Sequence, residues 1–400
     1  MPTQAKGSSE PVVTRRMGTV EAWLGVAVIA AATVDMLLTV LYARIGDRGL
    51  SRFGAGVGSV VVARSTWWLL RRAAPVFGRR GRGLLTLAGP LSVLLVLVLW
   101  VVALVVGAAL LIHPHLGESI VASHGDTPTD FVTALLAGAS SLSLRSSGDL
   151  VPRGGGMQLL YLVDSLIGAL IVALVVSYVM PVYNGLRVRN MLALTFDLLS
   201  RESGDAEEVV ASLGPGGDFS GGQTVLSDLA SGMVAVKEAH HFYPLLFFFH
   251  TGKAQHSLVR CLRLALDTVS HLEACLDDEP YGSIKASGSV FQLKRATMLL
   301  VETLSTTFLP PHVEPEVAAP GPRPHWREQY RRACRRLAEA GIATRRDGEA
   351  GAREYDRSRA EWDAAVLRVS RYLEHQEDDP DRRSGERAGS AVDRSADPMR

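Results

Sequence analysis

From Leu84 to Ile112 the chain carries no charged side chain. The hydrocarbon core of a bilayer, about 30 Å thick, takes about 20 apolar helical residues to cross, so this run is long enough to span with some tilt. Two more runs qualify: residues 19–43, interrupted by Glu21 and Asp35, and residues 157–182, which hold the single acid Asp164. By contrast, residues 326–400 alternate acid and base almost continuously. That division excludes one uniform soluble domain. The 42 basic and 41 acidic side chains leave a net charge of +1, so no dominant basic face exists and nucleic acid is not an expected partner.

Orientation follows from the loops. Residues 44–83 hold nine arginines (Arg44, Arg48, Arg52, Arg64, Arg71, Arg72, Arg79, Arg80 and Arg82) against the one acid Asp47. The positive-inside bias makes this loop cytoplasmic. The expected product is a multi-pass cell (inner) membrane protein with residues 1–18 as an extracytoplasmic tail and the C-terminus in the cytoplasm. The apolar run after Arg15 and Arg16 resembles a signal peptide up to Ala32, but it continues through Leu41, so the first span is expected to stay. Within the basic loop, Val57 to Arg72 with Trp67 and Trp68 reads as an interfacial helix, and anionic membrane lipids are its expected partners. Gly54, Gly56 and Gly58 lack the strand and acidic residue of a dinucleotide site.

Residues 126–152 carry most of the functional information. Thr127, Pro128 and Asp130 read as N-cap, first helical position and third position of a helix over 128–142. Fifteen residues rise roughly 22 Å, too short to cross and return. The polar, non-helical stretch 143–149 follows. A half-helix that dips in and returns as extended chain needs a cavity to line, because irregular backbone at membrane depth is otherwise unsatisfied. Cation filters are built from helix, re-entrant loop and helix. The expected fold class is an all-α membrane protein: three transmembrane helices plus a re-entrant pore helix and filter loop, with a helical cytosolic domain.

Over residues 84–182 this order resembles the pore module of bacterial single-pore-loop potassium channels. In that family the filter reads T-T-x-G-[YFT]-G-D, then an apolar pair and proline. Here the chain reads Ser143-Leu144-Arg145-Ser146-Ser147-Gly148-Asp149-Leu150-Val151-Pro152. Gly148, Asp149 and Pro152 fit, as do Gly154 to Gly156 before the inner helix; Leu144, Arg145 and Ser146 depart. The resemblance implies a homotetramer, a selectivity filter over Ser143 to Asp149, a gating hinge at Gly168, an acid near the position of Asp164, and an ion, potassium or another, as the transported species. The departures have physical consequences. Leu144 offers a cation no oxygen from its side chain. Ser146 in a left-handed conformation costs on the order of 1–2 kcal/mol in every copy. Arg145 would place four guanidinium groups near the axis, and a buried ring of like charge needs partners; Asp149 is the nearest candidate. The expectation is ion transport through a non-standard filter. The alternative is a non-conducting channel homologue serving as a membrane scaffold or sensor. Asp35, the other intramembrane acid, is expected to be satisfied in part by Thr39 one turn further on.

Residues 183–312 read as a cytosolic helical domain, with helices at 224–240, 257–276 and 290–308 and a flexible glycine-rich break at 214–222. A proline-rich linker (313–325), a helical hairpin (326–376) and a disordered tail (377–400) follow. In the second hairpin helix, Tyr355, Trp362, Val366, Val369 and Leu373 form one apolar stripe. His240, His241, His250 and His256 lack the spacing and acid partners of a metal site. Cys261, Cys275 and Cys334 form no CxxC and read as structural thiols. No cofactor, metal or catalytic motif is expected.

Overall fold

The computed structural model describes residues 12–40, 57–143, 149–250, 253–309 and 324–373. These fall into two compact units, residues up to 72 with 90–181, and residues 73–89 with 182 onward. Leu144 to Gly148, with Arg145 among them, lie outside the described residues, as do most of the basic loop's first half, most of the proline-rich linker and the tail beyond 373.

The first unit contains α1 (Val12–Val40), α2 (Val57–Ala73) and most of α4 (Ala88–Ile112). After them come strand β1 (Ile120–Ala122), helix α5 (Phe131–Leu142), strand β2 (Leu150–Pro152) and the first part of α6 (Gly155–Leu199). Among the described residues, three helices are long and apolar enough to cross a membrane: Gly18–Val40 within α1, Ala88–His115 and α6. The short α3 (Gly81–Leu85) precedes α4, so the expected span from residue 84 is broken near Thr86, whose hydroxyl donates to the Gly83 carbonyl. Helix α6 runs on without interruption to Leu199, the sequence expectation being a span over 157–182 that continues as helix to about residue 200. It includes Pro181, where the ladder lacks one donor.

The second unit is a cluster of helices: α7 (Ala206–Leu213), α8 (Gly222–Phe242), α9 (Leu258–Cys275), α10 (Asp278–Lys285), α11 (Gly288–Phe308), α12 (Pro324–Glu339) and α13 (Gly348–Tyr372). Capping residues set their starts. Ser257 accepts from Arg260 N, Ser287 from Val290 N, and Asp347 from Glu349 N and Ala350 N. Helix α9 is central: fourteen of its residues are buried, and it packs against α7, α11, α12 and α13. The break expected at 214–222 separates α7 from α8 and contains a tight turn. Gly216 and Gly217 have φ of 61° and 88°, conformations that glycine takes at no steric cost, and the Tyr281 hydroxyl occupies the place of a Gly217 side chain. Helices α7 and α10 were not expected; each is only one residue longer than two turns and gives little periodicity to read.

Candidate pore segment

Strands β1 and β2 pair antiparallel, Ile120 with Pro152, Val121 with Val151 and Ala122 with Leu150. Ser123 N donates to the Asp149 carbonyl at 2.8 Å and Arg153 N to the Ser119 carbonyl at 2.7 Å. Everything between therefore departs from and returns to one place. The outgoing limb contains α5, whose 12 residues rise about 18 Å. The helix begins later than the sequence suggests. Asp130, not Thr127, is the N-cap: its carboxylate accepts from Val132 N and Thr133 N and from the Thr133 hydroxyl. Those bonds hold the Asp130 carboxyl below the usual range, the Thr133 hydroxyl contributing most. Thr127 has another task, accepting from Ala122 N at 2.9 Å and so fastening the loop to β1.

Helix α5 sits between two walls. At Gly138 an added Cβ would lie 2.8 Å from Ala109 N and 3.0 Å from the Val105 carbonyl, so α5 and α4 approach backbone to backbone. Ala134 and Ala137 are buried with Ala109, Ile112, Leu116 and Ile120 in one apolar cluster. On the other wall, Ser141 Oγ donates to Asp164 Oδ2 at 2.9 Å, and both side chains are buried. Ser165 Oγ also lies 3.3 Å from the Ser143 carbonyl. Gly168 faces the end of α5: a Cβ there would sit 1.8 Å from the Leu142 carbonyl oxygen. The residue expected to be a hinge is thus the point at which the inner helix admits the last carbonyls of α5. Of the expected filter, only Ser143 and Asp149 are described.

Asp35 is satisfied differently from the sequence expectation. The Thr39 hydroxyl donates to the Asp35 backbone carbonyl and not to its carboxyl. The carboxyl accepts from Gly58 N at 2.9 Å and from Trp100 Nε1 at 2.8 Å. It therefore holds the first turn of α2 against α1 and α4. Helix α2, expected to lie along the interface, buries Ser59, Ala63, Thr66 and Trp67 along one face within this unit. We expect Asp35→Asn, which keeps one acceptor oxygen for two donors, to cost about 1–2 kcal/mol. Thermal unfolding of the detergent-purified protein measures this, and an unchanged midpoint would contradict the assignment.

Over 235 residues the chain is 23% identical to the uncharacterized membrane protein YdjJ of Bacillus subtilis (strain 168), a match covering 59% of this chain and 64% of that protein. The chain thus spans a little under two thirds of that relative's length. No protein-family model and no solved structure matches the chain. The apolar helices and this relative agree. The chain is a helical membrane protein.

In the second unit, the block Leu245 to Phe249 is buried and joins four elements. Arg189, near the end of α6 and itself buried, donates to the carbonyls of Leu246 at 3.1 Å and Phe249 at 2.9 Å. The Phe249 ring covers Gly89 at the start of α4 and meets Tyr183 edge-on. Phe247 stacks on Phe308 at 4.3 Å, at the end of α11, and lies 5.7 Å from the Tyr372 ring of α13. The start of α4, the last part of α6 and the ends of α11 and α13, all within this unit, thus meet on one aromatic wedge. Beside it, His240 is buried with Nδ1 on the Val236 carbonyl. Burial, reinforced by Arg189, lowers its pKa to about 4, so the ring is neutral near pH 7. Among the described residues no His, Cys, Asp or Glu cluster could hold a metal.

Proposed function

We propose that residues 84–182 form the pore module of a potassium-channel-like membrane protein, a homotetramer with α5 as pore helix, 143–149 as filter and α6 as inner helix. The observation that carries this reading is the β1–β2 pair, which brings together the two ends of the segment that holds α5. The contact of the α5 end with Asp164 and Gly168 adds to it. Leu159, Leu162, Leu166, Leu170 and Val176 on α6 are exposed in the single chain; in a tetramer they face neighbouring copies and lipid. Gly168, besides admitting the Leu142 carbonyl, is the point at which the inner helix bends on gating. The aromatic wedge at Leu245 to Phe249 connects that helix to a regulatory cytosolic cluster. In this topology the N-terminus is outside, and the basic loop meets anionic lipid.

Arg145 decides what passes. Four guanidinium groups at the filter oppose potassium, so wild-type protein in potassium-loaded liposomes should leak little, and Arg145→Val with Ser146→Gly should raise potassium efflux at least tenfold. Efflux from the unmodified protein would also establish a pore, one in which Arg145 is neutralised by Asp149. Silence in both would overturn the conducting reading in favour of a channel-like scaffold or sensor acting through its C-terminal helices.

A further inference from the structure

Helix α6 stops earlier than its sequence asks. Its last residue is Leu199, and the chain then turns through Ser200, Arg201 and Glu202. The turn has the hydrogen bonds of a Schellman motif. Arg201 N donates to the Leu198 carbonyl at 2.9 Å, and Glu202 N to the Asp197 carbonyl at 2.8 Å. The first residue past the cap of such a motif is left-handed, and it is usually glycine. Here it is Arg201, with φ of 52°, and Glu202 follows at 62°. Among the described residues these are the two that have positive φ without being glycine. Each carries the crowding between Cβ and the following carbonyl that glycine avoids. A glycine stands close by. Gly204 is itself left-handed, with φ of 76°, and Ser200 to Ser203 include no glycine or proline. By local preference alone α6 would run to Ser203 and end on Gly204.

What imposes the earlier end comes from α9. The Arg260 guanidinium donates to Asp197 Oδ1 and reaches the Glu202 carbonyl at 3.4 Å. It therefore bridges the two positions that a Schellman motif usually joins by an apolar contact. The same group lies against Gly204, where a Cβ would be 2.7 Å from Nη2 and 2.9 Å from Cζ. The Arg260 and Asp197 side chains are 12% and 8% exposed, so this is no loose surface pair. Ser212 of α7 adds a second hold, donating to the Leu199 carbonyl at 2.8 Å.

We propose that the end of α6 is a two-position joint, clamped short by Arg260 and able to extend to Ser203 when the Arg260–Asp197 pair opens. Strained backbone persists only where its surroundings over-determine it, and it marks elements that switch. Extension adds Ser200 to Ser203, about 6 Å of helix. It returns the Leu199 carbonyl to the helical ladder, takes it from Ser212 and moves the start of α7. Glu207 and Glu208 of α7 are paired with Arg332 and Arg336 of α12, so the displacement reaches the C-terminal helices. The trigger is movement of α6 along α9, because the two halves of the clamp stand on those helices. Helix α6 is also among those able to cross a membrane. The joint works whether or not the first unit conducts.

The test is thermal unfolding of the full chain in detergent, with Arg201→Gly made alone and in two released backgrounds, Arg260→Met and Asp197→Asn. Glycine suits the left-handed position of the clamped state and disfavours the helical position of the extended one, so its effect should change sign. Arg201→Gly alone should raise the midpoint by about 2 °C. In either released background it should lower the midpoint by a similar amount. Asp197→Asn keeps the side-chain volume and decides the matter should Arg260→Met not fold. A midpoint that rises or stays level in the released backgrounds would mean a cap that never extends, and would overturn the proposal. So would the absence of a rise with Arg260 and Asp197 intact, since no strain would then be held there.

Discussion

Gly168→Ala should destabilise the membrane unit by about 3 kcal/mol, the upper end of what overpacking costs, and should abolish any efflux seen with the Arg145→Val, Ser146→Gly protein. The added methyl would occupy a position 1.8 Å from the Leu142 carbonyl oxygen and 2.9 Å from its carbon. Neither atom is a flexible side-chain tip that can rotate away. Either α5 withdraws from the inner helix, breaking the Ser141–Asp164 hydrogen bond, or α6 bends. Alanine is the better helix former, so propensity alone would stabilise by up to about 1 kcal/mol. Gly156 supplies the control: it is on the same helix and nothing lies within 4 Å of its would-be Cβ. Gly156→Ala should therefore be neutral or slightly stabilising. Thermal unfolding of both variants in one detergent measures the contrast, and equal midpoints would refute the packing assignment.

The second large effect is expected at Arg359, in α13. Its side chain is 1% exposed. One terminal nitrogen donates to Asp267 at 3.1 Å, Gln329 at 3.1 Å and the Tyr355 hydroxyl at 3.0 Å, and the other to Asp363 at 2.9 Å. The rings of Trp326, Trp362 and Tyr355 surround the guanidinium at 5.5, 4.6 and 5.8 Å. Burial works against the charge, but Asp267, Tyr355 and Asp363 outweigh it and raise the pKa. Arg359→Leu fills much of the space and leaves Asp267 and Asp363 without their cation. Breaking a buried pair in this way costs about 3–5 kcal/mol, roughly 10 °C in the melting of a unit this size. Trp326 and Trp362 fluorescence reports the loss locally. Arg359→Lys should recover part of it, because one ammonium reaches fewer of the four acceptors.

Arg359 also shows what could and could not be read from the sequence. The stripe Tyr355, Trp362, Val366, Val369 and Leu373 was visible from spacing, and every one of these residues is buried. The same spacing puts position 359 inside the stripe. Its identity as arginine argued for the surface, and only the acids brought in by α9 make burial tolerable. Helix existence was legible wherever an apolar face repeats with the helical period, and helix ends differed from expectation where local chemistry decided them. Thr127 and Asp130 are both good capping residues, and β1 settled the choice by engaging Thr127. Asp35 was recognised as costly, but its partners stand 23 and 65 positions along the chain, beyond any periodic rule. The wedge formed by Leu245 to Phe249 belongs to the same class of long-range fact. The unusual residues at 144–146 were legible as departures from a family pattern, and their chemistry is what the efflux measurement addresses.

The Asp35 contacts bear on how this protein is made. When α1 leaves the ribosome and reaches the insertion machinery, its carboxyl has none of its later donors beyond its own helix. Asp35 lies five residues before the end of α1, where an acid costs less than the roughly 2.5–3.5 kcal/mol it costs at a helix centre on the insertion scale. At 5–20 residues per second, Trp100 is synthesised roughly 3–13 s after Asp35. The carboxyl gains its first donor when Gly58 is made and its second only with Trp100, so its contacts to α2 and α4 form in that order. Truncation between residues 43 and 100 should therefore yield a nascent helix that slips back out or is degraded, so that the order of synthesis is also an order of commitment to the bilayer.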